Sequence, residues 1–131
     1  MNSRNKGAAF ERQVVNLIKD HLGYDCKRNL MQTAEGGHDL IGVPGYAIEC
    51  KRYKAIGYAD LEKFWAQCVR QAHAVQLTPC LIVKPDRQPI RVYIPWSGPG
   101  WDSYSWDDFN CAAGISFEMF CAIAREGIDG K

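Results

Sequence analysis

No two cysteines in this chain have the C-x-x-C spacing of a zinc ribbon or a redox motif. Cys26, Cys50, Cys68, Cys80, Cys111 and Cys121 are scattered, so a disulfide frame or structural zinc site is disfavoured, and the six are expected to be small, reduced core residues. No apolar run approaches the ~18 residues of a membrane span. The opening stretch MNSRNKGAAFERQ has no apolar segment of the kind that marks a signal peptide. These two absences lead to the expectation of a cytoplasmic chain. There is no internal repeat, no low-complexity tract and no glycine spacing suited to a phosphate-binding loop. Strong net charge is also missing. A balance of +1 excludes a chain that is strongly basic throughout.

What is present suits a folded domain. The 131 residues are 47% hydrophobic and 24% charged, which fits one domain, residues 1–131, with a real core. The charge is unevenly spread. Residues 1–97 carry 14 Lys/Arg against 9 Asp/Glu, whereas residues 98–131 carry 2 against 6. A mildly basic body with an acidic tail is compatible with nucleic-acid binding without requiring it.

Periodicity predicts the elements. Phe10, Val14, Leu17 and Ile18 recur at helical spacing within residues 7–22, and Gly23 is placed to end that helix. YDCKRNL (24–30) is a weak strand, and MQTAEGGH is a loop. DLIGV and YAIECKRY read as strands about Pro44-Gly45, a hairpin signal. Residues 59–76 form a second helix with Leu61, Phe64, Trp65, Cys68, Ala72 and Val75 on its apolar face. CLIVK (80–84) and IRVYIPW (90–96) are strands about the turn PDRQP. After the loop SGPGWDSYS, Ser105 with Asp108 resembles a cap on a short helix, and residues 117–126 form a last helix with Phe117, Phe120, Cys121 and Ala124 on one face. The order α-β-β-β-α-β-β-α predicts an α/β fold, a mixed sheet with helices on its faces.

The charged residues within the predicted strands need an explanation. Alternate strand residues share a face, so Glu49 and Lys51 point one way while Ile48, Cys50 and Arg52 point the other. A salt-bridged, exposed strand face would account for Glu49 and Lys51 alone. Asp39, at the start of the preceding strand, adds a second carboxylate, and two converging carboxylates repel unless a proton or cation intervenes. A hard divalent cation such as Mg²⁺ takes oxygen ligands and keeps several waters, and a nearby Lys could orient a water and neutralise phosphate charge. Glu11, on the border of the first helix's buried face, is a third carboxylate or an ordinary boundary Glu paired with Arg12 or Lys19.

Register is the difficulty. A tight Pro-Gly turn pairing Val43 with Tyr46 puts Asp39 opposite Cys50, on the wrong face for Glu49. Either a bulge must intervene or Asp39 must lie in irregular chain ahead of its strand.

The series KGAAFERQVV, DCKRNL, HDLIGV and AIECKRYK resembles the PD-(D/E)XK nuclease superfamily, and within it the archaeal-type Holliday junction resolvases and their phage relatives. The resemblance covers about residues 5–95 and implies a restriction-endonuclease-like α-β-β-β-α-β core, about residues 5–96, with a C-terminal extension at 97–131. It implies that Asp39, Glu49 and the backbone carbonyl of Cys50 hold Mg²⁺, for which Mn²⁺ can substitute, with Glu11 reaching the metal directly or through water. It further implies that Lys51 assists the water nucleophile and that Arg28 and Arg12 contact the phosphodiester. Where the family usually has Pro before the Asp, this chain has His38, either a solvent-facing loop residue or a contact to phosphate or metal. Thr33 stands where the resolvases often carry a hydroxyl.

Other features have two readings. Lys51, Arg52 and Lys54 form a basic cluster that either holds DNA phosphates or ends a solvated strand. Gln67 and Gln71 are expected at solvent or the helix boundary rather than in the site. Trp96, Trp101, Tyr104 and Trp106 are expected to pack the tail rather than to stack bases. The expected function is Mg²⁺-dependent endonucleolytic hydrolysis of DNA phosphodiesters, leaving 5′-phosphates at four-way junctions in recombination and repair. A C2 homodimer is expected, because paired cuts need two sites, and a phage-encoded chain would act in its host's cytoplasm. The alternatives are a nuclease of the same fold acting on flaps, nicks or duplex, and a catalytically silent DNA-binding module.

Overall fold

β3 (Tyr46–Tyr53) is one of the two central strands, and most of the other elements are placed by reference to it. The computed structural model describes residues 3–30, 37–96 and 106–129. Around β3 lie α1 (Ser3–Leu22), β1 (Lys27–Arg28), β2 (Leu40–Ile41), α2 (Tyr58–Val75), β4 (Thr78–Pro85), β5 (Arg91–Pro95), β6 (Ala112–Ser116) and α3 (Phe117–Asp129). They form one sheet in the order β1-β2-β3-β4-β5-β6. Only β3 and β4 are parallel, joined through the α2 crossover, and every other neighbouring pair is antiparallel.

The two faces of the sheet are covered differently. α1 and α3 bury Phe10, Val14, Ile18, Phe117, Phe120, Cys121 and Ala124 against Ile48, Cys50, Cys80, Ile82 and Val92. α2 buries Trp65, Cys68 and Val69 against Leu81 and Val83 on the other face. The expected apolar stripes are therefore the buried ones, apart from Val75, which is exposed at the end of α2. Gly23 ends α1 with φ 78°, and its N–H donates to the Lys19 carbonyl at 2.9 Å. All six thiols are free, and five of them are buried.

Three expectations about the elements are corrected. The strand expected over 24–30 pairs only at Lys27 and Arg28, and that over 39–43 only at Leu40 and Ile41. The short helix near Asp108 is of the 3-10 kind: Phe109–Cys111 follows Asp108, which accepts the Asn110 N–H at 2.9 Å. The third correction is that the tail supplies a sixth strand as well as a helix: β6 pairs with β5 from Arg91↔Ser116 to Pro95↔Ala112. Thr33, Trp101, Tyr104 and Ser105 lie outside the described residues. Among the described residues no helix is long and apolar enough to cross a membrane.

Candidate active site

The hairpin forms its Pro-Gly turn and still places Asp39 usefully. The Tyr46 N–H donates to the Val43 carbonyl at 3.3 Å, and Gly45 takes φ 86°. Gly42 then intervenes as an unpaired residue at φ 112°, shifting the register so that Leu40 faces Ile48. One residue further along that register, Asp39 is level with Glu49. Asp39 lies just outside the strand, in a bend. Both ways around the register difficulty are thus used. Gly42 is needed for space as well as conformation, because a Cβ there would come within 2.8 Å of the Cys26 backbone.

The neighbouring chain holds Asp39 from two sides. Its carbonyl accepts the Asn29 N–H at 2.7 Å, and its own N–H donates to the Ile48 carbonyl at 2.8 Å. The Asn29 side-chain amide donates to the adjacent His38 carbonyl at 2.9 Å. The Asp39 carboxylate then accepts the buried Cys50 N–H at 2.7 Å. A strand residue's N–H and C=O leave on the same side, so the Cys50 carbonyl is directed to the same edge as Asp39.

Among the described residues Asp39 and Glu49 are the buried charged ones, at 7% and 3% exposure. Their carboxyls are hydrogen-bonded to each other, and burial together with the neighbouring Asp39 charge pushes Glu49 up to about 9. A proton shared between them lets the two carboxyls coexist. Lys51 opposes this shift from two residues along the same strand face. Its ammonium lies over the Phe64 ring, 5.1 Å from the centroid. Cys50 points into the opposite core, as the alternation requires, and burial raises its thiol well above the ordinary range.

The Glu11 carboxylate accepts from Arg28 Nε at 3.0 Å. Burial raises Glu11, Arg28 counters, and the Asp39 charge raises it further. Among the described residues no group of three or more His, Cys, Asp or Glu is arranged to hold a metal. The donor set is instead two hard carboxylates and a nearby carbonyl. That set fits Mg²⁺, which commonly uses one or two carboxylates with waters and substrate phosphates completing its shell. The shared proton marks the position where a cation would relieve the repulsion.

The other predicted residues are distributed around this centre. Arg12 and Lys54 are exposed. Arg52 is committed elsewhere: its guanidinium contacts Asp86 and donates to the carbonyls of Lys84 at 3.1 Å and Tyr53 at 3.0 Å. Lys6 joins the same Asp86 at 3.2 Å. His38 is half-buried, and that burial lowers its basicity. Gln71, expected at solvent or the helix boundary, in fact reaches the site. With its NH₂ turned inward it contacts Glu49 and donates to the Gly37 carbonyl at 3.2 Å. Its helical spacing from Phe64 was the available signal. Trp106 stacks on His73 and accepts the Trp65 indole N–H at its carbonyl at 2.6 Å, a packing role.

The chain is similar to several known proteins. Residues 2–112 match the family described as "Phage putative PDDEXK endonuclease". Protein D14 of Escherichia phage T5 is 29% identical, over 79% of this chain and 77% of its own length. The solved structure of Hjc, a Holliday junction resolvase of the archaeal hyperthermophile Archaeoglobus fulgidus, matches at TM-score 0.55 and 18% identity. That match covers 89% of this chain and 96% of Hjc.

Proposed function

The chain belongs to this family of phage PDDEXK endonucleases, and from that premise we propose that it is a structure-specific DNA endonuclease resolving four-way junctions. The observation that carries the reading is the buried, proton-sharing pair Asp39–Glu49 with Lys51 beside it on one strand face. Such a pair weakens the fold when it ionises, and a site that binds a cation against DNA accounts for it. The resolvase-like fold, together with the T5 relative, supports DNA as substrate and the host cytoplasm as the place of action.

In this reading Asp39, Glu49 and the Cys50 carbonyl would hold Mg²⁺ or Mn²⁺, with Glu11 reaching the ion directly or through water. The ion, when bound, would supply Lewis-acid stabilisation of charge on the scissile phosphate. Lys51 then orients the attacking water and offsets charge developing on the phosphate. Its position over Phe64 limits the directions its ammonium can take. Arg28, steadied by Glu11, faces the phosphodiester from the other side, and Arg12 and Lys54 hold flanking phosphates. Arg52 fixes the end of β3 through Asp86, so its part in DNA binding is indirect. Hydrolysis would leave 5′-phosphates, and paired cuts call for a C2 homodimer.

Cleavage of labelled four-way junction, flap and linear duplex, in Mg²⁺ and in EDTA with Asp39→Asn as control, tests the proposal. Paired symmetric nicks on the junction alone, lost in EDTA and in the variant, are expected. Equal cutting of flap and duplex would retain the nuclease and remove the junction preference. No metal-dependent cutting of any substrate would leave a DNA-binding module.

A further inference from the structure

Past Lys51 on the same strand face stands an aromatic residue that the chemistry above does not use. Tyr53 is two residues beyond Lys51, about 7 Å along the strand. It is a large apolar ring at the end of β3, yet it remains 42% exposed. One face of the ring lies on Phe64, with centroids 5.3 Å apart and planes 15° from parallel. Phe64 in turn carries the Lys51 ammonium at 5.1 Å. The Lys51 ammonium and the Tyr53 ring thus both lie against Phe64, and exposed Lys54 follows Tyr53 in the chain.

Packing on Phe64 leaves Tyr53 exposed. The cavity of about 110 Å³ lined by Ile56, Leu61, Val83, Pro85, Arg91 and Tyr93 lies beside it over β4 and β5, with Val83 and Pro85 in register with Lys51 and Tyr53. A flat ring, held rigid by a second ring and flanked by two lysines, is how proteins receive a nucleobase of any identity. The π-face supplies affinity, and the cations track the backbone.

We propose that Tyr53, braced by Phe64, is a stacking platform for a nucleobase unstacked next to the phosphodiester held at Asp39 and Glu49. The assignment rests on the nuclease reading. It adds a reason for selecting branched DNA, since a base at a junction or flap leaves its stack more cheaply than one within duplex. Identity of the base matters little, because every base offers a ring face.

Binding of the whole protein to a four-way junction in EDTA, followed by anisotropy, separates this from cleavage. Tyr53→Ala is expected to weaken binding roughly tenfold, while Tyr53→Phe and Tyr53→Trp keep it. An abasic residue moved nucleotide by nucleotide past the cut should reproduce the loss at one position. At that position wild type and Tyr53→Ala should bind alike. A 2-aminopurine placed there should be quenched by wild type and not by Tyr53→Ala. Unchanged binding by Tyr53→Ala, an equal further loss on the abasic junction, or no DNA binding at all overturns the platform. Binding with this pattern but no cleavage in Mg²⁺ would overturn the nuclease reading and leave the platform standing.

Discussion

The two faces of β3 carry opposite chemistry. Ile48 and Cys50 are sealed under α1 and α3 in an apolar cluster. Glu49, one residue away, is buried equally well on the α2 face but against another carboxylate. Burial on the first face releases hydrophobic free energy. On the second it raises the energy of a charge, and the fold tolerates this with a shared proton, a Cys50 N–H and Gln71. A strand can therefore hold a stabilising and a destabilising surface back to back, with the first supporting the second.

The comparison breaks most severely from the apolar side. Ile48→Ala should cost about 2–5 kcal/mol, read by urea denaturation, and should reduce activity only as far as the protein unfolds. From the polar side, Lys51→Met should leave the unfolding midpoint nearly unchanged and lower cleavage about 10²–10³-fold. Equal losses in stability and activity from both substitutions would remove the division of labour.

Register links the two faces, and it is more sensitive than either. Gly42→Ala forces a side chain into the left-handed region and against the Cys26 backbone. It should cost about 2 kcal/mol or more and should lower activity beyond that cost, because Asp39 moves out of line with Glu49. A variant that loses stability but keeps full activity per folded molecule would show that Asp39 is placed by Asn29 alone.

The smallest effect has the opposite sign. In metal-free protein Glu49 keeps its proton up to about 9 when folded and loses it near 4.5 when unfolded. Stability from this group is therefore complete below about pH 4.5 and falls as pH rises toward 9. Glu49→Gln should abolish that fall, stabilising the protein at pH 8 and leaving it unchanged at pH 4. Parallel melts of both proteins across this range provide the check.

Much of this division was legible in the chain. Period-2 alternation along YAIECKRY put Glu49 and Lys51 opposite Cys50, and helical spacing marked the core faces of α1, α2 and α3. The need for a bulge or for irregular chain at Asp39 was legible from the register; the residue that supplies the bulge was not, because the glycine at 42 is demanded by Cys26, distant in sequence. β6 was hidden for a related reason. AAGIS has little strand character of its own, and Gly114 suits it because the Tyr93 ring lies where a Cβ would project, 2.7 Å away. The engagement of Arg52 with Asp86 and Lys6 likewise joins elements that meet only in the folded chain.

The central claim is that the polar face of β3 is a cation site. Thermal unfolding of wild type and Glu49→Gln at pH 7.5 across a Mn²⁺ titration tests it directly, since a ligand that binds only the folded state raises the midpoint. The account predicts a midpoint that climbs with Mn²⁺ in wild type and stays flat in Glu49→Gln. A flat wild-type curve, or an equal climb in both proteins, would contradict it.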